Sequence, residues 1–60
     1  MYKFKGYCVE NGIKQKEICE LLGLSMSVVN QKMNGRLDWT LEQVKTLCQH
    51  YGISADIYFV

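Results

Sequence analysis

The fold is decided by the stretch "ICELLGLSMSVVNQKMNG", residues 18–35, in which a glycine separates two runs with an apolar stripe. The first run stops at Gly23; Ser25 opens the second, which ends at Asn34 and Gly35. Serine is a favoured helix N-cap, because its hydroxyl accepts a backbone N–H of the first turn. Glycine suits the position after a helix, because it takes the left-handed conformation without Cβ strain. The stretch therefore predicts two helices joined by a three- to four-residue turn, a helix-turn-helix.

Glycine divides the rest of the chain in the same way. Four of the five glycines follow an apolar-periodic segment: Gly12, Gly23, Gly35 and Gly52. The segments predict helices over about residues 2–11, 15–22, 26–34 and 41–51. The predicted fold class is all-α, a compact four- to five-helix arrangement in one domain over residues 1–60, with the helix-turn-helix at 15–34.

The fourth helix has the clearest start. Thr40 followed three residues later by Gln43 predicts a capping box, and Trp39 with Val44 predicts a hydrophobic staple across the same helix start. Ser54 is a candidate cap for a last short turn. The tail "IYFV" fits either a helical turn or a short strand, and periodicity does not decide between them.

Apolar residues at helical spacing predict the core. These residues are Phe4, Tyr7, Cys8, Ile18, Cys19, Leu22, Leu24, Val29, Met33, Leu41, Val44, Leu47, Cys48 and Tyr51. A small side chain at Cys19 suits a close crossing of the two helices of the helix-turn-helix. Gly6 within the first helix suggests that a neighbouring element approaches closely there, because glycine otherwise weakens a helix.

Composition limits the class of protein. The net charge is +1 and 48% of the residues are hydrophobic, too many for a disordered chain. No apolar run reaches the ~18 residues of a membrane span. The first dozen residues lack the features of a signal peptide. We therefore expect a cytoplasmic protein that does not contact a membrane.

The sequence contains no motif that predicts an enzyme or a metal site. The cysteines Cys8, Cys19 and Cys48 are widely spaced and form no C-x-x-C pair, so we expect reduced, core-packed thiols rather than a disulfide framework or a zinc site. The chain has no glycine-rich phosphate loop and no convincing nucleophile–base pair. We expect no cofactor, no metal and no catalytic activity.

A resemblance to a known family covers most of the chain. "GIKQKEICELLGLSMSVVNQKMNG" is similar to the helix-turn-helix domains of the phage repressor and Cro family, also called the XRE family. "DWTLEQVKTLCQHYGISADIYF" resembles the fourth and fifth helices of small Gram-positive prophage repressors. The resemblance spans about residues 4–59. It implies a lambda-repressor-like domain that places its second motif helix, residues 26–34, in the major groove of DNA.

The resemblance also assigns roles to residues. The implied base contacts are Met26, Ser27, Val28, Asn30 and Gln31. The implied phosphate contacts are Lys14, Gln15, Lys16, Lys32, Asn34 and Arg36. Base contacts select sequence, whereas phosphate contacts set affinity and register. Three residues depart from the family's usual pattern: Lys32 replaces an apolar residue, Cys19 replaces alanine, and Met26 offers no strong hydrogen bond to a base.

Two functions remain open at this point. The first is a sequence-specific transcriptional regulator, a phage or prophage repressor or Cro-like protein, acting as a homodimer on a pseudo-palindromic operator. The dimer contact would come from the apolar tail, Ile57, Tyr58, Phe59 and Val60, unless that tail completes the core. The alternative is a protein-interaction module on the same fold, such as an antirepressor or antitoxin-type partner, which the low net charge and Met26 favour.

Overall fold

The structure is a computed structural model that describes residues 3–59. It contains five helices: α1 Phe4–Glu10, α2 Gln15–Leu22, α3 Met26–Met33, α4 Leu41–Tyr51 and α5 Ala55–Tyr58. No strand occurs within the described range, so the all-α prediction is confirmed. Of the tail, Ile57 and Tyr58 belong to helix α5 and not to a strand. None of the helices in the described range is long and apolar enough to cross a membrane.

Four helices end in the same way. After each of α1 to α4 comes a glycine with a positive φ, between 65° and 77°. The residue after that glycine donates its backbone N–H to the carbonyl five residues earlier, and we call this bond the closing hydrogen bond. The four closing bonds are Ile13 to Cys8 at 2.9 Å, Leu24 to Cys19 at 3.1 Å, Arg36 to Gln31 at 2.8 Å and Ile53 to Cys48 at 3.1 Å. Carbonyls that a helix end leaves without a partner are satisfied in this way.

Helix starts follow the predicted caps in two cases out of three. Ser25 Oγ accepts the N–H of Val28 at 3.2 Å at the start of α3. The capping box of α4 has both its bonds, with Thr40 and Gln43 each accepting the other's backbone N–H. Ser54 is the N-cap of α5, but its side chain makes no capping hydrogen bond.

The core lies where the five helices meet. Its buried residues are Phe4, Cys8, Ile18, Cys19, Val29, Met33, Trp39 and Leu47. Phe4 is at its centre, with ring centroids 4.9 Å from Phe59 and 5.9 Å from Trp39. Aromatic pairs at such separations add to the stabilisation that burial alone provides.

Two residues of the C-terminal tail pack against residues of the first helix. Phe59 stacks on Phe4, and the ring of Tyr58 meets the edge of the ring of Tyr7 at 5.1 Å. Ile57 in contrast is 56% exposed. Val60 lies outside the described residues, as does the N-terminal Tyr2 that the first predicted helix included.

One prediction about the core and one about close packing are wrong. Leu41 is 78% exposed, because it occupies the first position of α4 at the edge of the apolar face and lies beside Glu42 and Lys45 in a shallow surface depression. Gly6 has no described neighbour within 4 Å of where a Cβ would stand, so no element approaches α1 there.

Candidate nucleic-acid interface

Helix α3 presents one uncharged face to solvent. Met26, Ser27 and Asn30 are exposed and Gln31 is half-buried, whereas Val29 is fully buried on the opposite side. Successive residues are rotated by about 100° on a helix, so the four outward residues form one continuous surface. Val28 is half-buried and lies at the edge of this surface. We call Met26, Ser27, Asn30 and Gln31 the reading face.

Contacts within the helix-turn-helix orient the reading face. Asn30 Nδ2 lies 3.5 Å from Gln15 Oε1, which links the start of α2 to the middle of α3. Gln31 Nε2 lies 3.5 Å from Ser27 Oγ on the same helix. At this length both hydrogen bonds are weak. The amides can therefore exchange these internal partners for a ligand's donors and acceptors at small cost.

Sulfur atoms meet at the turn between α2 and α3. The thiol Sγ of Cys19 lies 3.3 Å from Sδ of Met26, although 54% of Met26 is exposed. Cys19 is 9% exposed, in agreement with the small, buried side chain predicted at this crossing. Met26 therefore has one side against the motif's interior and the other on the reading face.

Exposed cations flank the reading face. Lys14 is the N-cap of α2, Lys16 follows in its first turn, and Arg36 stands in the loop after α3; all three are exposed. Gln15, between the two lysines, is half-buried. Backbone N–H groups at the start of α2 have no partner within the helix, and such groups favour anions such as phosphate.

Arg36 breaks a pattern that the other helix ends share. After α1, α2 and α4 the donor of the closing hydrogen bond is apolar and packs against the core, namely Ile13, Leu24 and Ile53. An apolar residue at this position normally completes this type of helix end. After α3 the same position holds an exposed arginine. The helix that carries the reading face thus ends in a cation rather than in a packing contact.

Lys32 differs from the expectation of a surface contact. It is 7% exposed, its Nζ donates to the backbone carbonyl of Asp38 at 2.7 Å, and it lies 5.8 Å from the centroid of the Trp39 ring. The physical reason is its position on α3, one turn after Val28 and next to buried Met33, on the side that faces the loop. In this conformation its ammonium group is bonded to the loop, and the proposed phosphate contacts do not include Lys32.

Asn34 has a partner that sequence reasoning missed. Its Oδ1 accepts from Lys5 Nζ at 2.7 Å, and its Nδ2 donates to the carbonyl of Asn30 at 2.9 Å. Lys5 belongs to α1, 29 positions away in the chain, and no local pattern marks that pairing. The contact brings a further cation to the end of α3.

A second contact that the sequence did not reveal holds α2 in place. The hydroxyl of Tyr51, at the end of α4, donates to Glu17 Oε2 at 2.6 Å. Burial raises the pKa of Tyr51, and the hydrogen bond to the Glu17 carboxylate raises that pKa further. The start of α2, with Lys14 and Gln15, is therefore tied to the C-terminal half of the domain.

The comparisons with known proteins give one family. A model described as the BetR domain matches residues 7–60, which include all of the five helices except the start of α1. No curated protein and no solved structure matches the chain.

Proposed function

Since the chain belongs to the BetR domain family, a membership that suggests a helix-turn-helix-type regulatory domain, we propose that it binds double-stranded DNA sequence-specifically. In this proposal α3 enters the major groove and the protein regulates transcription, as a phage or prophage repressor or a Cro-like protein does. Its place of action would be the bacterial cytoplasm. The resemblance to the phage repressor and Cro family supports this finer assignment.

The observation that carries the proposal is the composition of the α3 surface. The reading face has no charge of its own, while Lys14 and Lys16 are exposed at the start of α2, beside the middle of α3, and Arg36 is exposed in the loop after α3. Uncharged amides and hydroxyls suit the edges of bases, where hydrogen bonds select sequence. Cations at the periphery suit the phosphates on either side of a groove. A helix of this kind therefore combines both parts of DNA recognition.

Individual roles follow from position. Gln31 and Asn30 carry amides that can form paired hydrogen bonds with adenine, and Ser27 can bond to any base. Met26, and Val28 at the edge, can contact a thymine methyl group. The proposed phosphate contacts are Lys14, Gln15, Lys16, Asn34 and Arg36.

The proposed regulator acts as a dimer. One small module buries only roughly 600–1,000 Å² on DNA, so useful specificity calls for two copies on half-sites about 10 base pairs apart. Among the described tail residues, Tyr58 and Phe59 pack within the monomer and Ile57 is exposed, so we propose Ile57 for the contact between copies. Light scattering of Ile57→Glu should show a loss of dimer, with exposed Val9→Glu as the control; an unchanged mass would exclude Ile57 from the interface.

Selection from a randomised duplex pool, at about 50 mM and 200 mM salt, tests the proposed function. We expect enrichment of a near-palindrome, with binding that weakens steeply as salt rises because phosphate contacts release counterions. If no DNA of any sequence is retained at the lower salt, the proposed function is wrong.

A second function draws support from Met26. A thioether that is 54% exposed at the start of α3 gives the reading face an apolar edge, and methionine is common on adaptable protein-binding surfaces. An antirepressor or antitoxin-type partner would use this face to bind a protein. Such a protein would show no DNA retention at low salt, so the same selection experiment distinguishes the two functions.

A further inference from the structure

The loop after α3 is fixed by hydrogen bonds at its start, through Arg36 and Leu37, and at its end, through Asp38. At its start, the closing hydrogen bond joins the N–H of Arg36 to the carbonyl of Gln31 at 2.8 Å, and Leu37 donates to the same carbonyl at 3.3 Å. At its end, the Lys32 ammonium holds the carbonyl of Asp38 at 2.7 Å, and the buried ring of Trp39 follows. We call the bond from Lys32 to Asp38 the loop tether.

Lys32 is an unusual residue for this place. Within residues 3–59 it is the one charged or polar side chain that is buried. Burying an ammonium group is costly unless it is well paired, and an apolar side chain of the same length would fill the space without that cost. Lys32 lies near the C-terminal end of α3, where the helix dipole favours a cation, and this offsets part of the cost of burial. Packing alone therefore does not account for a lysine here.

We propose that Lys32 is a positioning residue, which holds the loop through its tether to Asp38 so that Arg36 is presented to a DNA phosphate before DNA arrives. This inference rests on the proposed function. Lys32 joins the loop twice, because its own carbonyl also accepts the N–H of Gly35 at 3.3 Å. A side chain or loop that is ordered in the unbound protein loses less entropy on binding, so a contact from it contributes more to affinity.

A double-mutant cycle tests the positioning role on the full chain. The variants are Lys32→Met, which keeps an unbranched side chain of similar length and removes the ammonium, Arg36→Ala, and the two combined. Binding to a random-sequence duplex is measured across a salt series. We expect Lys32→Met to weaken binding about 5- to 10-fold and to reduce the salt slope by about 1, as the loss of one phosphate contact does. The combined variant should bind no more weakly than Arg36→Ala, because both changes remove the same contact.

Lys45→Met is the matched control. Lys45 is exposed on α4 and its replacement removes the same charge without touching the loop. We expect less than about a 2-fold change in affinity from it, since one distant exposed charge is largely screened at moderate salt. Equal effects of Lys32→Met and Lys45→Met would overturn the proposal. Additive losses in the cycle would also overturn it, because Lys32 would then act without Arg36.

Backbone ¹⁵N relaxation of the wild-type protein supplies a test that needs no variant. We expect the amides of Arg36 and Leu37 to have order parameters near those of the helices, about 0.85, without DNA. Values below about 0.6 would refute the proposal even if Lys32→Met fails to fold. A wild-type protein that binds no DNA at low salt, yet shows a rigid loop, would refute the proposed function instead.

Discussion

The ends of α2 and α3 share a glycine and a closing hydrogen bond, and they differ in the side chain that follows the glycine. The glycine has a positive φ at both Gly23 and Gly35, and the closing hydrogen bond is 3.1 Å long after Gly23 and 2.8 Å long after Gly35. After Gly23 comes Leu24, which packs against the core; after Gly35 comes Arg36, which is exposed. The backbone geometry alone is thus sufficient to end a helix. The side chain after the glycine can therefore either pack against the core, as Leu24 does, or remain exposed for a ligand, as Arg36 does.

Of the two possible exchanges between these positions, Leu24→Arg should have the larger effect on stability. We expect Leu24→Arg to lower the free energy of unfolding by about 2 kcal/mol, because it removes a partly buried leucine from the core. Urea unfolding of the purified variant measures this change. Unfolding at the wild-type midpoint would mean that Leu24 contributes no more to stability than the exposed Arg36.

The glycines themselves should matter equally at both ends. We expect Gly23→Ala and Gly35→Ala each to cost about 1–2 kcal/mol of stability, because alanine is strained at φ values of 68° and 77°. Gly6→Ala is the matched control, since Gly6 lies inside α1 with open space around it. That variant should be more stable by about 0.5–1 kcal/mol. Thermal unfolding of all three gives the signs, and a destabilised Gly6→Ala would contradict the open surroundings.

Alkaline pH should weaken the domain through the buried thiol of Cys8 in α1. Burial raises the pKa of Cys8, whose carbonyl accepts the closing bond of α1, to about 11 from an ordinary 9.0, and nearby Glu17 adds to the shift. Between these values the unfolded state loses its proton and the folded state keeps it. The stabilisation is therefore complete below pH 9.0 and is lost as pH rises through about 11. We expect a loss of about 2–3 kcal/mol over this window, because each pKa unit corresponds to about 1.4 kcal/mol.

Cys8→Ala isolates that loss from the titration of lysines and tyrosines, which occurs in both proteins. Its stability, measured by urea unfolding from pH 8 to pH 11, should fall less than that of the wild type, by the contribution of the thiol. Parallel curves for the two proteins would show that Cys8 does not titrate with a raised pKa.

The smallest effect on stability is expected from Arg36→Leu, which makes the end of α3 like the end of α2. Unfolding should change by less than about 0.5 kcal/mol, as for most surface substitutions. DNA binding should weaken equally on all sequences. Gln31→Ala, one turn earlier, should instead cost about 1–3 kcal/mol on the selected operator alone. If both variants lost equal affinity on operator and random DNA, the division between a phosphate contact at Arg36 and a base contact at Gln31 would be wrong.

Local signals in the sequence predicted most of the fold. Glycine spacing, Ser25 and the Thr40 capping box gave the bounds of α2 and α4 as the structure has them and those of α3 to within a residue. These features succeed because helix ends depend on nearby residues. Leu41 was wrongly placed in the core, since periodicity does not tell where a helix extends beyond its neighbours.

The candidate site was less predictable, for a physical reason. The outward orientation of the reading face followed from buried Val29 and Met33, which a helical period reveals. The burial of Lys32, the contact of Lys5 with Asn34 and the bond from Tyr51 to Glu17 are tertiary. Lysine is almost always exposed, so no sequence pattern marks one that is anchored to a carbonyl six residues later.

The burial of Trp39 has a practical consequence. It is the chain's one tryptophan, it is 7% exposed, and it lies against both Phe4 and the Lys32 side chain. Unfolding would bring this indole into water, so its intrinsic fluorescence reports stability without any label. Because Trp39 directly follows the residue that Lys32 holds, the same emission also serves as an optical reporter of the loop during a DNA titration.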